Sequence, residues 1–482
     1  MSIKLIDALL ILLLIFLPLA LGAVHAWSIT LFAIIAVILF NLIIFQPGFS
    51  FKKFFNFPIF ILSLIFLGYL LFQLIPLPPS ILKVISPNTY KLYCDYSLTY
   101  PWINNWRPIS IYPWLSISEL IKFISYGFVF LAILYRSSSQ NKLQGLKADE
   151  YISMTYLQLG CLTGILAILL HSLVDFNLHI TANAFYFTVL FALAVAISRK
   201  DEGINRGFIS KLSNTIVFVG FVISIFGIVH KLSGSYKIYW VMKKDGEPFG
   251  PYINYDHYAG FISMCSSVAV ASFMAKVRYS SFFLMKGLRN KLTWLLTKEA
   301  SSMLRQLFYV IVMVGSLFYS SSRGGILSFV IAILVFYLFV IVKTKSNRKG
   351  RLIFFLAIMV LLSITIIFWI GPDGTFEKFV KLNHAIRSII HESSVLSEMR
   401  PAIWSDVIKI LPDFLITGTG FGTFSSIFPK YRTHEWGGRF LRYAHCDYLQ
   451  LVSETGIVGL IFIIGFLIYF VRLYVLTLRK LK

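Results

Sequence analysis

The residues best suited to chemistry lie near the C-terminal end of the chain, where His445, Asp447 and Tyr448 are followed by Glu454. If this stretch is helical, His445 and Tyr448 share a face and Glu454 lies about two and a half turns beyond His445. Histidine titrates near neutral pH and is suited to proton transfer. The same pattern also fits a structural role, with His445 at a helix start and Asp447 stabilised by the helix dipole. The stretch is therefore a candidate acid–base site.

A second polar group is segment 320–325, SSSRGG, which lies between two apolar runs. Arginine at membrane depth is energetically expensive and indicates a functional site. Its guanidinium group fits phosphate oxygens, and glycine lets the backbone approach a ligand closely. The alternative is a tight turn between helices, with Arg323 reaching out to lipid phosphate.

Two further polar segments are expected on the same side of the membrane. Segment 250–260 contains Asn254, Asp256 and His257, of which Asn254 or Asp256 could cap a helix. Segment 171–179, HSLVDFNLH, fits either a polar hairpin turn or part of a substrate groove.

The composition indicates a polytopic membrane protein. The chain has 482 residues, of which 57% are hydrophobic and 13% charged, whereas soluble proteins have about 25% charged residues. Its four cysteines cannot form a disulfide framework. The sequence contains no nucleotide-binding glycine pattern and no zinc-ligand spacing. These features argue against a soluble enzyme and against use of ATP or structural zinc.

Apolar runs predict about twelve transmembrane helices, since a span needs about 20 mostly apolar residues. They cover approximately 5–23, 27–46, 57–76, 117–135, 152–170, 181–198, 213–230, 257–275, 306–321, 324–342, 352–370 and 456–474.

Val24-His25-Ala26 resembles a signal-peptide cleavage site, but the long apolar run and the span directly after it favour a retained first helix.

The charge pattern predicts the orientation of these spans. The net charge is +23, and Lys and Arg are dense in the segments near 136–147, 199–211, 276–305, 343–351 and 472–482. Alternating spans place all five on one side, so both termini are expected in the cytoplasm and nucleic-acid binding is disfavoured. We expect membrane helices over 1–370, a large periplasmic loop over 371–455, and a last helix with a cytoplasmic tail over 456–482.

One internal repeat links two of the expected helix starts. The sequence YLQL at 156–159, followed by TGI at 163–165, returns as YLQL at 448–451, followed by TGI at 455–457. The second copy carries His445, Asp447 and Glu454, whereas the first has no ionisable group at the equivalent positions. If the repeat is more than chance similarity, only the second copy can perform acid–base chemistry.

Together these residues resemble the O-antigen ligase family, which includes related polysaccharide polymerases of bacterial envelopes. The matching features are Asn254–Gly260, Ser322–Gly325, Arg400 with Trp404, Gly418 to Tyr431, and His445-x-Asp447-Tyr448-Leu449-Gln450 to Glu454-x-Gly456. The resemblance covers about residues 213–470 and, more weakly, the first four spans. It depends on the order of these features, with a large loop before a late span.

The resemblance implies an all-α, glycosyltransferase-C-like fold in the bacterial inner membrane with a periplasmic active site. The donor would be a glycan on undecaprenyl pyrophosphate, whose leaving group carries its own driving force, and the acceptor a glycan or lipid A-core. Arg323 and Arg400 would bind the pyrophosphate. His445 would orient or deprotonate the acceptor hydroxyl, and Glu454 would assist it.

In the same reading the remaining candidates, Asn254, His257, Arg432, Asp447 and Tyr448, would bind substrate, with membrane lipids as further partners. No cofactor and no metal are implied. The chain departs from the family pattern in one respect, because a hairpin like 171–179 follows the Glu454-type span in many relatives but lies mid-chain here.

Two other functions stay open at this stage. The first is a polymerase of the same family, which uses a growing glycan as acceptor. The second is a lipid-linked glycan flippase or transporter without chemistry. A transporter should carry ionisable residues near the bilayer midplane, whereas those here gather at the outer face and Lys122 is the one lysine expected inside a span. The pattern therefore favours an enzyme.

Overall fold

The computed structural model describes residues 2–96, 105–139, 148–199, 203–243, 247–283, 285–343, 350, 357, 399–433 and 440–481. Within these ranges the chain is almost entirely helical. Two short antiparallel ladders are the only strand pairs there, β1 (Ser138–Ser139) with β2 (Gly203–Ile204) and β3 (Lys237–Ile238) with β4 (Met242–Lys243). This confirms the predicted all-α class.

Thirteen helices precede residue 344 in the described ranges. They are α1 (Ser2–Leu19), α2 (Ala26–Ile44), α3 (Pro58–Phe72), α4 (Pro79–Ile85), α5 (Pro87–Tyr96), α6 (Pro113–Ser137), α7 (Ala148–His171), α8 (Thr181–Ser198), α9 (Arg206–Leu232), α10 (Tyr255–Tyr279), α11 (Leu288–Trp294), α12 (Lys298–Tyr319) and α13 (Arg323–Lys343). Four more follow residue 398, namely α14 (Met399–Ile408), α15 (Ile410–Phe414), α16 (Phe424–Tyr431) and α17 (Asp447–Arg479).

Nine helices of the described part are long and apolar enough to cross a membrane. They are α2, α6, α7, α8, α9, α10, α12, α13 and α17. The chain is therefore a multi-pass membrane protein, and these nine coincide with predicted spans. The first and third predicted spans overlap α1 and the shorter α3, while the span at 352–370 lies outside the described residues apart from position 357.

Helices α7, α8 and α10 form the centre of the membrane part. Between 78% and 94% of the apolar window of each is buried in the protein, compared with 22% for α17. At one end, Nζ of Lys480, the residue directly after α17, lies 3.3 Å from Oε1 of Gln158 in α7. The opposite ends of these two helices carry His171 and Asp447. The two YLQL copies therefore lie at opposite ends of neighbouring helices.

The described part of the predicted large loop folds into helices α14, α15 and α16. They share a hydrophobic cluster of their own, which includes Ile403, Val407, Phe414 and Phe428. Apolar residues at helical spacing from Ile403 to Leu411 predict a helix in this part of the loop, and α14 and α15 confirm it. The same spacing from Phe379 to Ile390 lies in residues that the structure does not describe. The cluster also buries Ala444, next to His445.

The last helix begins earlier than predicted and contains a break. Helix α17 begins at Asp447, and Gly456 inside it has φ 61° and ψ −149°, a conformation open only to glycine. A Cβ atom at Gly456 would lie 2.6 Å from the carbonyl oxygen of Ile416. The following amide, Ile457 N–H, donates to Leu415 O over 2.7 Å. The hydrogen bond at the break therefore connects α17 to the residue directly after α15. The break lies where the large loop is predicted to end.

We expect Gly456→Ala to lower the thermal unfolding temperature of the purified protein, because alanine is strained at this backbone conformation and would collide with Ile416. The strain alone costs about 1–3 kcal/mol. The matched control is Gly68→Ala in α3, where a Cβ atom would meet nothing within 4 Å. Equal unfolding temperatures for the two variants in the same detergent would contradict this account of the break.

Candidate functional site

Asp175 lies at the centre of the candidate site, in the hairpin between α7 and α8. Its side chain is completely buried. Its Oδ1 is 3.4 Å from Nδ1 of His445, and its Oδ2 is 3.9 Å from Nε2 of His257. The site is thus formed by three segments that are distant in sequence, namely hairpin 171–179, the start of α10 and the loop before α17.

The groups around Asp175 favour its ionised form. Burial by itself raises the pKa of a carboxyl group. The contact with His445 and the charges of His257, His171 and Arg400 outweigh that effect and hold the pKa of Asp175 well below its usual range. A fixed negative charge beside His445 favours a protonated Nδ1 and leaves Nε2 available to take up a proton.

Several buried polar atoms around Asp175 lack a hydrogen-bond partner among the described residues. They are both ring nitrogens of His171, Oγ of Ser172, both oxygens of Asp175, Nδ2 of Asn177, Nε2 of His257 and Nδ1 of His445. Buried polar atoms in proteins are normally paired. A concentration of unpaired donors and acceptors at one point is suited to binding a polar substrate.

The position of His445 is set by its backbone and its neighbours. His445 has φ 52°, in the left-handed region that non-glycine residues rarely adopt. The indole Nε1–H of Trp404 lies 3.1 Å from Ala444 O and 3.3 Å from His445 O. The ring of Phe176 packs edge-on against the imidazole at 4.8 Å. These contacts hold the ring of His445 toward Asp175.

The two predicted pyrophosphate-binding arginines lie near each other. The Nη2 group of Arg400 donates to Oδ2 of Asp256 over 3.1 Å, and Oγ of Ser322 donates to Oδ1 of Asp256 over 2.5 Å. Arg323 is the exposed first residue of α13. Both guanidinium groups act electrostatically on the phenol of Tyr255. The arrangement provides two cations beside the carboxylate and histidine cluster.

The glycines beside Arg323 lie in close contact with neighbouring helices. A Cβ atom at Gly325 would lie 2.5 Å from Cβ of Ala259, and one at Gly324 would lie 3.1 Å from Nε2 of His171. They therefore allow α13 to pack closely on α10 and on the end of α7. This close packing brings Ser322 to Asp256.

Asp447 and Tyr448 attach α17 to hairpin 171–179. Oδ1 of Asp447 lies 2.7 Å from Nδ1 of His179, and Oδ2 accepts from the Leu178 N–H over 3.0 Å. The Tyr448 hydroxyl donates to Leu169 O over 2.8 Å. Both side chains thus position other parts of the site, and their substrate-binding role stays a prediction.

Glu454 is buried and held within the protein. Oε2 accepts from the Gly422 N–H over 2.8 Å, and Oε1 accepts from the Phe424 N–H over 3.2 Å and from the Gln450 amide over 3.1 Å. These contacts fix the glycine-rich turn at 418–422 and do not include His445. The geometry favours a positioning role for Glu454, and its catalytic role stays a prediction.

The remaining candidates lie in different places. Asn254 caps α10, because its side-chain oxygen accepts from the Asp256 N–H over 2.8 Å, as one of the two sequence interpretations expected. His257 faces Asp175 and packs edge-on against Phe176 at 4.7 Å. Arg432 is exposed at the C-terminal end of α16, and the contacts given above for His445 and Asp175 do not include it.

Sequence reasoning did not assign Asp175, His171 or His179 to the site. The signal was present, since hairpin 171–179 combines two histidines and an aspartate between two spans. A polar turn and a substrate groove were both compatible with it. The structure places the hairpin against the predicted His445 cluster.

Comparison with known proteins gives one family match. Residues 308–464 match the model of the family described as O-antigen ligase. The chain is therefore similar to the O-antigen ligase family over this region. No curated protein and no solved structure matches the chain.

The matched region contains Arg323, Arg400, His445 and Glu454, in the order on which the resemblance depends. Asp175 lies outside it, as do the other residues of hairpin 171–179 and α10. The family match and the described geometry therefore give different information. The first covers the arginines and the histidine, and the second adds the carboxylate that faces the histidine.

The lowered pKa of Asp175 gives a pH prediction for stability. A carboxyl group with a depressed folded-state pKa stabilises the protein above its unfolded value, about 3.9, and loses this contribution as the pH falls toward the folded value. Asp175→Asn should therefore lower the thermal unfolding temperature most near neutral pH, and the difference from wild type should shrink below about pH 4. The exposed Asp95→Asn serves as control. A difference that is constant over this pH range would contradict the assignment.

Proposed function

We propose that this protein transfers a glycan from undecaprenyl pyrophosphate to an acceptor hydroxyl at the periplasmic face of the bacterial inner membrane. The observation that carries the proposal is the convergence of a histidine–carboxylate pair, His445 with Asp175, and two arginines at one end of the membrane helices. The match to the O-antigen ligase family supports it. The basic loops support an orientation with this end outside the cytoplasm.

On the donor side, Arg323 and Arg400 bind the pyrophosphate. A glycosyl pyrophosphate gains negative charge on its leaving oxygens as the bond to the anomeric carbon breaks. Guanidinium groups that are already in place stabilise that charge without reorganisation. The hydrogen bond from Arg400 to Asp256 fixes the guanidinium group, while about a third of the Arg400 side chain stays exposed. The remaining donors of Arg400 are thus available to a ligand.

On the acceptor side, His445 acts as the base. Its Nδ1 faces Asp175, so Nε2 takes the proton of the acceptor hydroxyl while the oxygen attacks the anomeric carbon. The bond from that carbon to the pyrophosphate oxygen breaks in the same step, which inverts the configuration. Asp175 stabilises the imidazolium that forms, as a buried carboxylate does beside a catalytic histidine. No metal takes part in this mechanism.

Asp447 and His179 line part of an apolar cavity of about 480 Å³. Its wall is aliphatic and aromatic and includes Phe66, Phe123 and Phe187. We assign it to hydrocarbon chains of the lipid substrate or the bilayer. A lipid held there would lie next to the helix that carries Asp447 at its start.

A transporter is the main alternative of a different class. Lys122 pairs with Glu119 at 2.5 Å inside α6, and both side chains line the apolar cavity. An ion pair within a span is a feature that transporters also show. The two arginines and the His445–Asp175 pair at the membrane surface favour the enzyme.

The proposal is tested by a transfer assay with purified protein, a glycan on polyprenyl pyrophosphate and candidate acceptors. His445→Ala should lower the transfer rate by about 10²- to 10⁴-fold, the usual contribution of a general base. Arg323→Ala and Arg400→Ala should also lower the rate, and the effect should be larger at low donor concentration. The control is Arg289→Ala in helix α11, which is expected on the cytoplasmic side. It removes one positive charge, as each of the two arginine variants of the site does.

The results of this assay distinguish a ligase, a polymerase and a transporter. Transfer to a lipid A-core acceptor supports a ligase, and extension of a second lipid-linked glycan supports a polymerase. Folded His445→Ala and Arg323→Ala variants with wild-type rates would refute the site. A wild-type protein that moves the lipid between leaflets without forming product would establish the transporter instead.

A further inference from the structure

Gln450 connects hairpin 171–179 with the loop before α17 and with Glu454 on α17. It is buried on the first turn of α17. Its Oε1 accepts from the Ala444 N–H over 3.0 Å. Its Nε2 donates to Glu454 Oε1 over 3.1 Å and lies 2.9 Å from Nε2 of His179. The amide group therefore has a partner on each side.

These contacts determine the orientation of the amide and of the imidazole. The Ala444 N–H can only donate, so the oxygen of Gln450 must face it and the NH₂ group must face His179. Nε2 of His179 is then an acceptor, and the proton of the ring is on Nδ1, which donates to Asp447. Asp447, His179, Gln450 and Ala444 form a continuous hydrogen-bonded chain.

This chain ends at the N–H of Ala444, the residue directly before His445. The left-handed backbone of His445 is unfavourable unless neighbouring contacts enforce it. Trp404 binds the carbonyl groups of Ala444 and His445 from one side, and Gln450 binds the Ala444 N–H from the other. We propose that Gln450 is a positioning residue that holds His445 against Asp175 by linking Ala444 to the Asp447–His179 pair. The proposal rests on the proposed function, in which His445 is the base.

The first test replaces Gln450 with a side chain of similar volume that makes neither hydrogen bond. Gln450→Met should lower kcat for transfer by about 10- to 100-fold, because small misplacements of a catalytic group have effects of this size. The KM for the lipid-linked donor should stay unchanged, since the arginines are not disturbed. Gln158→Met is the matched control: Gln158 is equally buried and is the corresponding residue of the other YLQL copy, but it binds Ala194 O and Lys480.

The second test uses a side chain that regains the amide pattern when protonated. A protonated glutamic acid has one carbonyl acceptor for Ala444 and one O–H donor for His179, whereas the carboxylate has no donor. The ionisable groups near this position are Glu454, His179, Asp447, Glu119 and Tyr443. The carboxylate of Glu454 favours the protonated form at position 450.

Gln450→Glu should therefore approach the wild-type kcat as the pH is lowered, while Gln450→Met should stay low relative to wild type at every pH. A residue that serves only to fill space would not produce this difference. Equal kcat values for Gln450→Met and Gln158→Met, or identical pH profiles for Gln450→Met and Gln450→Glu, would overturn the proposal.

A double-mutant cycle tests whether Gln450 acts through His445. Residues that act through one group are strongly non-additive. Gln450→Met should lower kcat much less in an Asp175→Asn background than in wild type, because His445 has already lost its partner there. Full additivity would overturn the inference while leaving the proposed function intact. An active His445→Ala variant would instead refute the proposed function itself.

Discussion

A buried negative charge on Asp175 is the constraint on which the rest of the site depends. An ionised carboxylate with no solvent exposure is costly unless cationic or hydrogen-bonding groups surround it. The imidazoles of His445 and His257 lie 3.4 and 3.9 Å from its oxygens, and the charge of Arg400 also acts on it. Each belongs to a different segment of the chain. Compensation of one charge thus requires the ends of α7, α10 and α14 and the loop before α17 to meet.

Most of the polar groups that complete this arrangement bind other parts of the protein. Asp447 binds His179 and Leu178, and Glu454 binds the turn at 418–422. They hold the loops so that His445 and the arginines remain exposed to a substrate. Acidic residues near a candidate base therefore need not share its chemistry. In this site they orient the main chain that carries it.

The sequence predicted the membrane class and most of the spans, because apolar runs are local signals, and it named His445, Arg323 and Arg400 as candidates. It did not predict that Asp175 faces His445, since that contact joins positions 270 residues apart. Spacing along a helix also does not show that the oxygens of Glu454 are bound by Gly422 and Phe424. Both sets of contacts are tertiary, and the catalytic role of Glu454 stays a prediction.

The match to the O-antigen ligase family covers 308–464, yet the carboxylate beside His445 comes from residue 175. Without hairpin 171–179, Asp447 would lose its contacts with Leu178 and His179, and His445 would lose Asp175. The matched region therefore contains the two arginines and the proposed base but not the carboxylate that faces it. The hairpin can occupy a different place in the chain order because only its position in space matters to His445. The departure from the family order in this sequence is thus compatible with the same arrangement of charges at the site.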